Sequence, residues 1–204
     1  MAVRYGLALA GLAGLAAGLL WGCVSPAQAI WLSESGSVAR LSGTFSIGDD
    51  AVFKAFLDKS RDQPIRVLYL SSSGGKIVPA MAIGHMVRKA GIATVVDADA
   101  ASCASACTFV FVAGVRRHYV NGDNVSEGLS AHNGLGFHPA HRDGGRVDGN
   151  HLSNKGTERL RSYYAAMGTP RAAELMDKAA FNTLYRPNGQ TALSLRIATT
   201  LSAP

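Results

Sequence analysis

The sequence predicts an α/β fold with a largely parallel sheet and helices gathered at the C-terminal end. Two β-rich runs, 65–70 and 92–96, are each followed by a stretch of small residues and then an apolar helical segment. That order is what crossover units around a parallel sheet produce. The last third of the chain carries helical spacing. With 204 residues, 48% hydrophobic and 17% charged, the chain suffices for one well-buried domain rather than two.

Taken in order, residues 31–45 hold short β-like pieces punctuated by Ser and Gly. Behind Asp49-Asp50, the spacing of Val52, Phe53, Phe56 and Leu57 predicts a helix. After Pro64, residues 65–70 form a compact strand and 71–75 a polar turn. A helix is expected over 77–90, burying Ile77, Met81, Ile83 and Val87, with Gly91 ending it. The strand 92–96 leads through small residues into a helix over 107–113 that is apolar on every side. A short strand follows at 117–120, a loop at 122–134, and a brief strand at 135–138 ending at Pro139. Residues 141–149 read as a polar, glycine-rich loop. Helices are expected over 154–167 and 171–180, with Thr169 as N-cap and Pro170 at the tolerated first position of the second. The tail turns at Pro187-Asn188-Gly189 before another amphipathic piece. There is no internal repeat and no low-complexity linker.

The formal net charge is +6, but the positive residues are scattered, in pairs at most, such as Arg88-Lys89 and Arg116-Arg117. Without a basic run interleaved with aromatics, a solvated basic surface is expected and a nucleic-acid partner is not. At the N-terminus, Arg4 precedes an uncharged apolar run from Gly6 to Trp21, and Ala27-Gln28-Ala29 offers a small-x-small cleavage pattern. Residues 1–29 thus read as a secretory signal, leaving a periplasmic or secreted domain over 30–204. Two rival readings would keep the chain at a membrane. Leu20-Trp21-Gly22-Cys23 faintly resembles a lipoprotein processing site, and the uncleaved run approaches the ~20 apolar residues a span needs.

Cleavage would leave Cys103 and Cys107. An oxidising compartment permits a disulfide between them, and two small buried thiols beside a helix start are the alternative. No second cysteine pair and no histidine cluster completes a metal site, and the spacing is not that of a Cys-x-x-Cys redox motif.

Two features carry chemistry. Ser72-Ser73-Gly74-Gly75 lies between a strand and a helix, where glycines let backbone N–H groups face a phosphate or a developing oxyanion. Ser102-Cys103-Ala104-Ser105-Ala106-Cys107 precedes the buried helix, whose dipole favours a nucleophile at its start. Taken alone, each has a bland counterpart. A Ser/Gly turn before a helix is common, and a serine there often does no more than cap it.

Leu70-Ser71-Ser72-Ser73-Gly74-Gly75, an apolar helix, a strand ending near Asp97, Ser105-Ala106-Cys107 and then Phe137-His138-Pro139 form an ordered series. Together they resemble the Clp protease proteolytic subunit family, from Val67 to the C-terminus. The resemblance implies a ClpP/crotonase-like ββα superhelix and peptide-bond hydrolysis through a serine triad. It also implies no cofactor and assembly into a homo-oligomer. Position by position, Ser105 matches the nucleophile and His138 the general base. Gly74 and Gly75 match the oxyanion turn, with Ala106 giving a second N–H. The family's acid lies in the C-terminal helical region ten residues before a proline, the place of Asp177 relative to Pro187.

There are departures. Ser73 stands where the family has proline, and the serine-to-histidine separation is longer, with 121–134 as the extra segment. His132 and His141 therefore compete with His138, which is preferred because it ends an apolar strand, a rigid mount. His85, His118 and His151 read as surface or packing residues. Asp97 and Asp99 are alternative acids.

The expected activity is that of an exported, ATP-independent serine peptidase acting on a peptide or protein substrate. A non-catalytic scaffold that kept the fold is the alternative. A crotonase-like acyl-thioester enzyme is a third reading, disfavoured because coenzyme A thioesters are cytoplasmic.

Overall fold

The computed structural model describes residues 29–129, 132–140, 154–180 and 183–204. The expected leader, apart from Ala29, and the histidines His141 and His151 lie outside the described residues. Among the described residues, no helix is long and apolar enough to cross a membrane.

The fold is mixed α/β with a mostly parallel sheet. Strands β1 (Trp31–Ser35), β2 (Val38–Phe45), β3 (Val67–Gly75), β4 (Ala93–Asp97) and β6 (Arg117–Val120) lie side by side in the order β1-β2-β3-β4-β6. Only β1 runs antiparallel, as a hairpin on β2 turning at Gly36, where φ is +60°. Two short strands, β5 (Ser102–Ala104) and β7 (Gly134–Gly136), form a second parallel layer that branches from β3 through the Ser72–Cys103 pair.

β3 is the joint between the two layers. Its first residues, Val67 to Tyr69, pair with β4, while Ser72 pairs with β5. The strand alternates throughout, burying Leu68, Leu70, Ser72 and Gly74 on one side. The polar segment 71–75, expected to be a turn, is thus a continuation of the strand, because Ser71, Gly74 and Gly75 keep their pairing with Ser42, Thr44 and Phe45 of β2. Likewise β5 occupies part of the small-residue stretch expected to be irregular.

Helices α1 (Asp49–Lys59), α2 (Ile77–Lys89) and α3 (Cys107–Ala113) follow β2, β3 and β5. The α2 helix buries Ala80, Met81, Ile83, Gly84 and Val87, and stops at Gly91, whose φ of +67° favours glycine. Every residue of α3 is buried. The Arg88 side chain ties the helices together by donating to the carbonyls of Val112 and Met167 at 3.0 and 2.9 Å. Helix α4 (Asn154–Ala166) ends at Gly168 and is followed by α5 (Ala172–Met176) and α6 (Gly189–Ser194). The α5 helix is shorter than the expected 171–180 span, because the chain tightens into three-residue turns at Lys178 and Ala179.

Candidate active site

Strand β5 and helix α3 meet at Ser105, which adopts φ +53°, the left-handed region that side chains other than glycine rarely occupy. Such a conformation costs about 1–3 kcal/mol, so surrounding contacts must hold it. The Ser105 N–H donates to the Gly136 carbonyl at 2.8 Å, and the Thr108 N–H and hydroxyl donate to the Ser105 carbonyl at 3.0 and 2.7 Å. Tyr164, fully buried, closes this chain with its hydroxyl 2.7 Å from that of Thr108. Because the Thr108 hydroxyl already donates to Ser105, the Tyr164 hydroxyl is the donor in that contact. Burial pushes the Tyr164 phenol well above its ordinary value, so it keeps its proton.

The Ser105 turn lies between the cysteines. Cys103 and Cys107, both fully buried, are joined by a disulfide with their Cα atoms 5.1 Å apart.

His138 follows β7, the parallel neighbour of β5, and so leaves the same end of the small layer as Ser105. Phe137, just before it, exchanges both backbone hydrogen bonds with Tyr185 at 2.9 Å, which fixes the strand that carries the histidine. Its Nε2 lies 2.7 Å from Ser105 Oγ. Its Nδ1 lies 2.6 Å from the Pro139 carbonyl oxygen. A carbonyl oxygen can only accept, so Nδ1 carries the proton and Nε2 presents a lone pair to the serine hydroxyl. That is the tautomer a general base needs.

The remaining predicted residues divide. Gly74 packs directly against the serine: a Cβ there would come within 2.6 Å of Ser105 Cβ. Its N–H, however, donates to Ser72 Oγ at 3.1 Å. Gly75 lies against Phe45, whose carbonyl would be 2.3 Å from an added Cβ, and the next amide, of Lys76, donates to that carbonyl at 2.8 Å. Ala106 is buried immediately after the serine, and its amide makes no hydrogen bond to a described residue.

Asp177 is not brought to His138. It shares the outward face of α5 and the following turn with Glu174 and Lys178, and its exposed carboxylate pairs with Arg161 at 2.5 Å. The two alternative acids are also engaged elsewhere. Asp97 accepts from Asn121 at 2.8 Å and Asp99 from Asn124 at 3.0 Å. His132 is exposed beside a separate polar cleft with Asp99 and Asn124. His85 stands edge-on to Tyr163, and His118 is bonded to the Ser202 carbonyl.

Ser105 and His138 open into a cleft of about 750 Å³. Its wall is largely apolar, with Ile77, Phe109, Leu160 and Tyr164 inside and the exposed Ile47 and Val78 at the mouth. Asp50 and Lys76 supply charge at the rim. The residues that the sequence did not point to are Thr108, Tyr164 and the Pro139 carbonyl. Thr108 stands one turn past Ser105 in the apolar helix, a position that could have drawn notice. A main-chain carbonyl carries no signal in residue type.

The chain superposes on two solved structures of a protein described as the 1510-N membrane-bound stomatin-specific protease. A serine-to-alanine mutant of it matches with a TM-score of 0.58 and 15% identity, over 81% of this chain and 78% of that one. A lysine-to-alanine mutant in complex with a substrate peptide gives 0.54 and 14%, over 81% and 74%. No protein-family model and no curated protein sequence matches the chain. The likeness is one of fold, mixed α/β with a mostly parallel sheet and ClpP/crotonase-like.

Proposed function

We propose that the chain is an exported serine peptidase that cleaves peptide bonds through an acyl-enzyme on Ser105, without ATP. The observation that carries this is the 2.7 Å contact between Ser105 Oγ and His138 Nε2 at an open cleft. His138 Nε2 takes the hydroxyl proton as Ser105 Oγ attacks the substrate carbonyl. The Nδ1–H stays on the Pro139 carbonyl, which orients the ring and accepts from the imidazolium that forms. The Ala106 amide and the Gly74-Gly75 end of β3 receive the oxyanion, and Ser72 Oγ releases the Gly74 N–H as charge develops. His138 then returns its proton to the leaving amine, and water, activated the same way, hydrolyses the ester.

The substrate is a peptide or protein segment laid along the apolar cleft. Two further parts of the reading rest on sequence alone: periplasmic or secreted location on the leader, and a homo-oligomer on the family resemblance. A fluorophosphonate probe tests the chemistry. The wild-type chain is expected to be labelled on Ser105, and Ser105→Ala to lose labelling and peptide turnover by on the order of 10⁴–10⁶-fold while folding normally. Absence of labelling in the wild-type chain would overturn the peptidase reading and leave a scaffold that kept the fold.

A further inference from the structure

The Cys103–Cys107 disulfide takes no part in the acyl-transfer steps, yet it brackets the nucleophile. Cys103 is the middle residue of β5 and Cys107 the first of α3. The bond therefore closes a small ring with Ser105 at its midpoint, at φ +53°. A serine left to itself prefers the extended or right-handed regions. The other restraints on this turn are hydrogen bonds, from the Ser105 N–H to Gly136 and from Thr108 to the Ser105 carbonyl. Each of those bonds is individually weak and can open singly, whereas a covalent link opens only on reduction.

We infer that the disulfide is a positioning element for the nucleophile. It holds Ser105 in the left-handed conformation that sets Oγ on His138, and acyl transfer depends on its being oxidised. The inference rests on Ser105 being the nucleophile. Both cysteines have 0% exposure, and a reductant must touch sulfur to attack it, so the bond is a step of maturation rather than a switch thrown in the folded chain.

The test compares oxidised, reduced and reoxidised full-length protein. Dithiothreitol in mild urea passes two electrons and two protons to the bond, giving two cysteine thiols and cyclic oxidised dithiothreitol; the urea is then removed under reductant. Labelling by a fluorophosphonate is followed over probe concentration, which separates the saturating rate from the half-saturating concentration. Reduction is expected to slow the saturating rate by roughly ten- to a hundredfold, the Boltzmann weight of the backbone strain. The half-saturating concentration should stay within about twofold, and reoxidation should restore the rate. A purely structural bond would not move the saturating rate alone.

Equal saturating rates in the two forms, with Cys103 and Cys107 both alkylated and native circular dichroism in the reduced form, overturn the inference alone. Full labelling of freshly purified protein in which Cys103 and Cys107 are already free thiols does the same. Should reduced protein not refold, Cys103→Val/Cys107→Ala replaces it, keeping apolar volume at both sites. Loss of the whole fold in both forms also overturns the inference, since the bond would then hold the domain and not the turn. No labelling of the oxidised form overturns the nucleophile itself.

Discussion

Gly74→Ala probes how closely the glycine end of β3 and the serine are joined. Gly74 has φ +115°, and a Cβ there would lie 2.6 Å from Ser105 Cβ, 3.0 Å from the Ala104 carbonyl and 3.1 Å from Ser105 Oγ. Two costs add. The backbone conformation costs an alanine about 1–3 kcal/mol, and overlap in a packed site about as much again, giving roughly 2–6 kcal/mol together. Gly168→Ala separates them. It also has positive φ, at +73°, but nothing lies within 4 Å of its added Cβ, so it carries the backbone cost alone, about 1–2 kcal/mol. The neighbour that must give way at Gly74 is the nucleophile, and a shift of about 1 Å in a reacting group costs on the order of a hundredfold in rate. Urea unfolding followed by circular dichroism measures the first effect, and the fluorophosphonate labelling rate the second. Gly74→Ala that labels at the wild-type rate, or is no less stable than Gly168→Ala, would refute the contact and remove the glycines from the site.

Asp177→Asn should leave labelling within about twofold and stability within about 1 kcal/mol, because it breaks only an exposed ion pair with Arg161. A tenfold or larger loss in the labelling assay would return Asp177 to the site. Arg117→Met should lower stability by about 2–4 kcal/mol in urea titrations. Its buried guanidinium donates to the carbonyls of Gly114, Arg196 and Ile197 and so anchors the C-terminal segment to β6. Burial pushes the Tyr119 phenol up to about 12, so the folded chain keeps a proton that the unfolded chain gives up near 10. The stabilisation is complete below pH 10 and fades as pH climbs towards 12, by about 3 kcal/mol across the window. Urea midpoints measured over that range should fall, and Tyr119→Phe should lessen the fall by its own share, because burial raises the Tyr163 and Tyr164 phenols too.

Much of the main layer could be read from residue order. The unbroken apolar run 107–113 can only be a buried element, and α3 is buried at every position. The helix after the glycines was legible because Ile77 and Met81, and Ile83 and Val87, are each spaced by four, and Met81, Ile83 and Val87 are buried in α2. The second layer was not legible. β5 and β7 have three residues each, too few to display a period, and both are held by partners distant in sequence. Ser105 and His138 were matched only through the family resemblance of the ordered motif series, and the parallel pairing of β5 with β7 is what sets them side by side. Asp177 failed for a geometric reason. Counting back from Pro187 gives a distance along the chain, but not the side of the helix on which the carboxylate emerges. The exposed Glu174 and Lys178 mark that side as the outer one.

Strand β3 turns the hydrophobic alternation into a ruler for the site. Leu68 and Leu70 are buried in the core, and the same count of two carries the chain on to Ser72, whose hydroxyl accepts from Gly74, and to Gly74, against Ser105. Core and site are thus in phase along one strand. The pairing with β2 takes three steps from Ser71 to Gly74 against two from Ser42 to Thr44, so the one place where a residue can be gained or lost lies between the leucines and the glycine. Ahead of that step, a lost residue would turn leucine out of the core or swing the glycine away from the serine.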